Sequence, residues 1–156
     1  MINIRDYVLR LVAFRDRTEK EIRDKLKEKS YCEDEIDDEI NFLKDYGYIN
    51  DLRFAEHFTH DAINLKKWGK IRIRMELVKK GIDRDVADNV IEDAFSEIDE
   101  DLVLLQMQSR FKNSDFSNMK ERTRIFNFFM RRGFCAEEIK GAMNKMSSFY
   151  DIISED

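Results

Sequence analysis

Three stretches of this chain repeat one another: IRDKLKEKSYCEDEI from Ile22, IRIRMELVKKGIDRDV from Ile71 and IFNFFMRRGFCAEEI from Ile125. Ile22, Ile73 and Ile125 are each followed four residues later by an apolar residue, Leu26, Leu77 or Phe129, and four later again by Ser30, Gly81 or Gly133. Tyr31, Ile82 and Phe134 come next, and a further helix takes Ile36, Val86 and Ile139 as its first anchors, the middle copy reading one residue shorter there. A period of roughly 50 residues marks stacked supersecondary units rather than one globular core. Each copy is preceded by an amphipathic stretch, at residues 3–14, about 51–66 and about 101–111, so the unit reads helix, helix, helix.

The repeat decides a local ambiguity. GKIRIRMELVKKGI, from Gly69 to Ile82, alternates apolar and charged residues as a half-buried strand does. Its counterparts in the other copies follow helical spacing, so it is the second helix of the middle unit, with Gly81 at the position just beyond a helix C-terminus. Ile71, Ile73, Met75, Leu77 and Val78 are then expected to hold the middle unit together. Arg72, Lys79 and Lys80 are expected to face outward, with Arg74 undecided between the two roles. Helix starts are also legible, most clearly at Thr18-Glu19-Lys20-Glu21, a capping box.

Composition agrees with helices throughout: there is no Pro and only 5 Gly among 156 residues, so breakers are nearly absent. The expected fold is all-α, three tandem three-helix repeats over residues 1–49, 50–97 and 98–156. A unit this small has a marginal core alone, so neighbours are expected to pack into an elongated, curved array. The pattern weakens at Glu97 to Asp101 and Asn113 to Asn118, where flexible joints are expected.

A net charge of -5 argues against a protein devoted to coating phosphate backbones. The charge is sectored, however. Lys66, Lys67, Lys70, Arg72, Arg74, Lys79 and Lys80 crowd the middle repeat, and Arg122, Arg124, Arg131 and Arg132 crowd the corresponding helix of the third. These residues are the candidate partner-binding set, for a polyanionic or acidic surface. Charge reversal at Arg72, Lys79, Arg124 and Arg131 is expected to abolish partner binding without loss of helicity.

The remaining candidates are weaker. Cys32 and Cys135 share a slot that Asp83 fills in the middle copy, a helix N-cap with Glu35 or Glu138 three residues on. The thiols read as small residues at semi-buried turns rather than redox centres. His57 and His60 are three apart but have no further His to complete a metal site. Trp68 reads as a plug between helices. Phosphate loops, hydrolase triads and paired catalytic carboxylates find no match, so no catalytic residue, metal or other cofactor is expected. The N-terminal run mixes charge with apolar residues, unlike a signal peptide, and no run approaches the roughly 20 apolar residues of a membrane span. A soluble cytoplasmic monomer is expected.

Four stretches in order, RDRTEKEIRDKL (15–26), GYINDLRFAEHF (47–58), WGKIRIRMELVKKGI (68–82) and FFMRRGFCAEEI (128–139), resemble the RecX family of bacterial recombinase regulators. The resemblance spans nearly the whole chain. It implies a non-enzymatic regulator, built of three three-helix repeats, that lies in the groove of the RecA filament on DNA and restrains recombination and the filament's co-protease role. It carries no catalytic motif to transfer. The acidic run from Glu33 to Glu39 makes the first repeat a poor DNA-binding surface. The alternative is a direct DNA-binding protein, since a three-helix unit with a basic helix resembles a helix-turn-helix module.

Overall fold

The computed structural model describes residues 3–153, with side chains as far as residue 148. The described residues form nine helices joined by short turns: α1 (Ile4–Phe14), α2 (Glu19–Glu28), α3 (Glu33–Asp45), α4 (Asp51–Asn64), α5 (Lys70–Lys79), α6 (Arg84–Ser96), α7 (Leu102–Arg110), α8 (Met119–Arg131) and α9 (Ala136–Ile153). The fold is all-α with a repeated three-helix unit. Local chemistry sets the starts. Thr18 Oγ1 accepts from the Glu21 N–H while the Glu21 carboxylate accepts from the Thr18 N–H, and Asn50, Asp83, Asp101 and Asn118 cap their own helices through side-chain oxygens. The second helix of every repeat stops on a residue in left-handed conformation, Ser30 (φ 62), Gly81 (φ 87) or Gly133 (φ 88).

Each triplet encloses its own core. Ile22, Leu26, Ile36, Ile40 and Leu43 fill the first, Ile73, Leu77, Ala87 and Ile91 the second, and Ile125, Phe129, Phe134 and Ile139 the third. The spacing from Ile22 to Ile36 recurs from Ile73 to Ala87 and from Ile125 to Ile139, so the middle copy has no deletion. The fully buried anchor there is Ala87, with Val86 half-buried beside it. Three small cores leave much surface: the 10271 Å² of accessible area exceeds the roughly 8,300 Å² typical of a compact monomer of 18.8 kDa.

Helix α5 departs from its sequence reading. Only Ile73 and Leu77 are buried, whereas Ile71, Met75 and Val78 are exposed. Both sets have helical spacing, so periodicity alone cannot choose between them. Arg74 is half-buried on the flank of the helix, with its guanidinium ion-paired to Asp88 of α6.

The repeats join end to end through their second helices. At the first seam Thr18 Oγ1, the N-cap of α2, donates to the Lys80 carbonyl at the C-terminus of α5 (2.6 Å). At the second, the Gly69 N–H, the N-cap of α5, donates to the Arg132 carbonyl at the C-terminus of α8 (2.7 Å), and the Ile71 N–H donates to the Gly133 carbonyl (3.0 Å). Thr18 and Gly69 occupy equivalent positions, as do Lys80 and Arg132. A donor at the start of one helix, a hydroxyl at the first seam and N–H groups at the second, thus satisfies a carbonyl that ends another, and the positive end of one helix dipole meets the negative end of the next. Close approach requires glycine: a Cβ on Gly69 would lie 2.4 Å from the Gly133 carbonyl oxygen, and one on Gly133 would lie 2.3 Å from the Arg72 nitrogen.

Glu21 ties the first seam, meeting Lys80 Nζ at 3.3 Å and Arg15 at 3.2 Å. Burial pushes its carboxyl up, but Arg15, the Thr18 N–H and Lys80 together outweigh that and hold it below the usual glutamate range. A depressed pKa contributes stability that is present above the unfolded value and lost as pH falls through the folded one. Urea stability is therefore expected to fall below about pH 4.5, with a shallower fall in Glu21→Gln. An unaltered slope in that variant would remove Glu21 as a source of acid sensitivity. Asp51, raised by burial, acts in the opposite sense and offsets part of the loss.

Candidate functional site

Ion pairing is uneven along the chain. Most cations of the first repeat are paired within it: Arg5 on Glu39 (2.6 Å), Arg23 on Glu19 (2.9 Å) and Asp37 (2.7 Å), Lys27 on Glu33 (2.9 Å), and Lys44 on Glu19. Around the second seam most cations lack such partners. Among the described residues Lys66, Lys67, Arg72, Arg131 and Arg132 form no ion pair there, nor do Lys79 at the far end of α5 and Arg122 and Arg124 farther back along α8, in a chain whose carboxylates outnumber its cations. Lys70 pairs with Glu92 at 3.0 Å, Arg74 with Asp88 and Lys80 with Glu21, so these three candidates are engaged within the fold. Lys80, expected to face outward, is half-buried at the first seam, because its helix end is the docking point for α2.

The unpaired set divides by role. Arg72 and Arg132 cross the second seam in opposite directions: Arg72 Nη1 donates to the Arg131 carbonyl (3.1 Å) and Arg132 Nη1 to the Lys66 carbonyl (2.8 Å). Arg122 is held by the Phe116 carbonyl (3.0 Å). Lys67, Lys79, Arg124 and Arg131 are exposed, with no side-chain hydrogen bond among the described residues.

The seam also brings together cations and aromatic faces. Arg72 lies 4.1 Å and Lys66 4.4 Å from the Trp68 ring, and Arg132 and Arg110 lie 4.6 and 4.8 Å from Phe128. Such contacts fix the orientation of a guanidinium without neutralising it. Burial, then the like charges of Arg110 and Arg72, hold Arg132 below the usual arginine range. An incoming anion relieves that crowding. Arg110, Arg124 and Arg131 line one recess with Phe111 and Phe128. Beside it a cleft of about 540 Å³ carries Lys67, Arg110 and Arg132, with one carboxylate, Glu100, against Trp68, Leu102 and Leu105. The surface is therefore an anion-attracting seam with aromatic and aliphatic walls, suited to binding an acidic or phosphorylated macromolecule.

Arg110 was not among the sequence candidates. It ends α7, the first helix of its repeat, and the basic clusters read from sequence lie on or just before second helices; only the packing of α7 against α9 and the α8 end brings it beside Arg132. The other singled-out residues have ordinary surroundings. Trp68 is half-buried at the second seam, 6.4 Å from Phe58. The Cys32 and Cys135 N–H groups donate to Glu35 (3.0 Å) and Glu138 (2.7 Å) as the capping reading requires, but Cys32 is exposed rather than semi-buried. At Cys135 the Glu138 N–H pulls the thiol down, while burial and the Glu138 and Glu137 carboxylates outweigh it and push the thiol up, away from reactivity. His57 faces Asp16 at 3.4 Å and His60 faces Asp61 at 3.5 Å. Among the described residues no helix is long and apolar enough to cross a membrane.

Comparison with known proteins points one way. Residues 5–43 match the family model for the first three-helix domain of RecX, and residues 50–91 match that for the second. A regulatory protein RecX from Finegoldia magna is 32% identical over 142 residues, 87% of this chain and 69% of that protein. One from Thermotoga petrophila is 33% identical, covering 90% and 83% of the two chains, and one from Vibrio vulnificus is 31% identical, covering 92% and 93%. The crystal structure of RecX from Lactobacillus salivarius shares the fold with a TM-score of 0.77 at 24% identity, over 92% of this chain and 94% of that one.

Proposed function

Because the chain belongs to the RecX family of regulatory proteins, we propose that it binds the RecA recombinase filament on DNA and restrains its recombination, ATPase and co-protease activities. It acts as a cytoplasmic monomer in DNA repair and the SOS response, without catalysis of its own. The observation that carries the reading is the set of uncompensated cations at the second seam, on a chain of negative net charge and large surface. A body built of three separately cored repeats spans neighbouring filament subunits and gains affinity by touching more than one of them. Binding one filament state more tightly than another shifts the filament toward that state, which is the route to inhibition.

The test is DNA-dependent ATP hydrolysis by RecA with and without the purified protein, run beside its binding to naked DNA. Suppressed hydrolysis with weak naked-DNA binding is the expected result. No effect on RecA at saturating protein rejects the reading. A steep salt dependence of tight binding to naked duplex favours direct DNA binding instead, a reading that the cation-flanked aromatics Trp68 and Phe128 keep in play.

A further inference from the structure

We propose that the outward face of α5 is a docking stripe for an apolar, acid-flanked element of a protein partner. The identity of that protein rests on the filament-binding reading above. Ile71, Met75 and Val78 stand at helical spacing on this face, 42%, 67% and 45% exposed, directly opposite the buried Ile73 and Leu77.

The other repeats act as internal controls. The same positions are Lys20, Asp24 and Lys27 in α2 and Thr123, Asn127 and Met130 in α8, and all six are exposed. The unit therefore folds with polar residues there, and the architecture does not call for three aliphatic side chains in the middle copy. Met130, in the last turn of α8 before the seam, is the one further apolar residue in this register, 44% exposed. Water contact with such a stripe is unfavourable in the free protein, and a protein surface that covers it removes that cost.

Charge selects the occupant. Lys79 shares the face and has no ion pair, and Arg131 lies at the seam where Arg72 reaches its carbonyl. The nearby carboxylates Asp88, Glu92 and Glu21 are already paired with Arg74, Lys70 and Lys80, leaving Glu76 on the flank of α5. A second copy of this chain would bring cations against cations in either helix orientation. Naked nucleic acid stacks its bases on aromatic rings, and the stripe has none. An amphipathic protein segment with aliphatic anchors and acidic edges satisfies both features, and flexible Met75 adapts to its shape.

Met75→Glu is the test. At 67% exposure the substitution leaves the core untouched, so helicity and melting temperature are expected to match wild type. Labelled protein titrated with RecA filaments on single-stranded DNA is read by fluorescence anisotropy. Met75→Glu is expected to bind at least about 10-fold more weakly, equivalent to about 1.4 kcal/mol, with naked-DNA binding unchanged, whereas Asp24→Asn at the equivalent position of α2 binds as wild type. Wild-type affinity in Met75→Glu overturns the stripe and leaves the filament reading standing. A wild-type dimer that Met75→Glu dissolves overturns it too, by making the stripe a self-interface. A wild-type protein with no affinity for the filament overturns the functional reading and the occupant together.

Discussion

Gly133→Ala is expected to destabilise the protein by about 3 kcal/mol or more, because two penalties coincide. A Cβ at φ 88 is strained in itself, by roughly 1–2 kcal/mol. It would also lie 2.4 Å from Arg72 Cβ and 2.9 Å from Arg72 Cα. Neither atom is the end of a flexible side chain, so the seam has to open, and the Gly69 and Ile71 hydrogen bonds lengthen with it. Gly69→Ala meets the same obstacle from the other side without the dihedral strain, since its φ is -88. For a chain of this size the expected fall in melting temperature is roughly 6–12 °C. Two glycines give the contrast. A Cβ added at Gly47 (φ 69) would meet nothing within 4 Å, so Gly47→Ala carries only the strain term, about 1 kcal/mol. Gly141 lies within α9 in open space, where Ala is expected to stabilise by about 0.5–1 kcal/mol. Equal effects at Gly47 and Gly133 would show that the seam contributes nothing.

Reversing charge at Arg110, Arg124 and Arg131 together is expected to weaken binding to the RecA filament about 100-fold, close to 2.7 kcal/mol, with far-UV helicity retained. All three are exposed and surround one recess, and none donates a side-chain hydrogen bond among the described residues. Arg72 is left out because its guanidinium bridges the seam to the Arg131 carbonyl, so its reversal mixes folding with binding. Loss of affinity is expected to appear mainly in the association rate and to shrink at high salt, as contacts at the rim of an interface do. Undiminished binding at low salt would exclude this face from the contact.

The repeat carries most of what the sequence reveals. Matching Ile22, Ile73 and Ile125 identified three copies of one unit, and the Thr18 to Glu21 box is present at the N-terminus of α2 as read. The third-helix anchor was misplaced by one residue because Val86 is the larger side chain, while Ala87 is the one that packing buries. A similar confusion placed Ile71, Met75 and Val78 in the core. The signal that separates the two stripes was present: position-by-position comparison with Lys20, Asp24 and Lys27 marks that face as polar in the first copy. The candidate cations were recognisable by type and cluster. Which of them remain free was not, because Lys70, Arg74 and Lys80 find carboxylates on other helices.

By itself the sequence determined the all-α class, the threefold internal repeat, the ends of the second helices and the concentration of positive charge in repeats two and three. These are properties of local spacing and side-chain type, which act within one or two helical turns. Only the tertiary structure decided that α8, α5 and α2 meet end to end, that Gly69 and Gly133 touch, and that Arg110 joins the cationic seam. Those outcomes depend on contacts between residues some 60 positions apart, such as Arg72 with Arg131. Gly69 lacks room for a Cβ because the Gly133 carbonyl occupies that space, and Gly133 because the Arg72 backbone does, so the reason for each glycine is visible only in the packed seam.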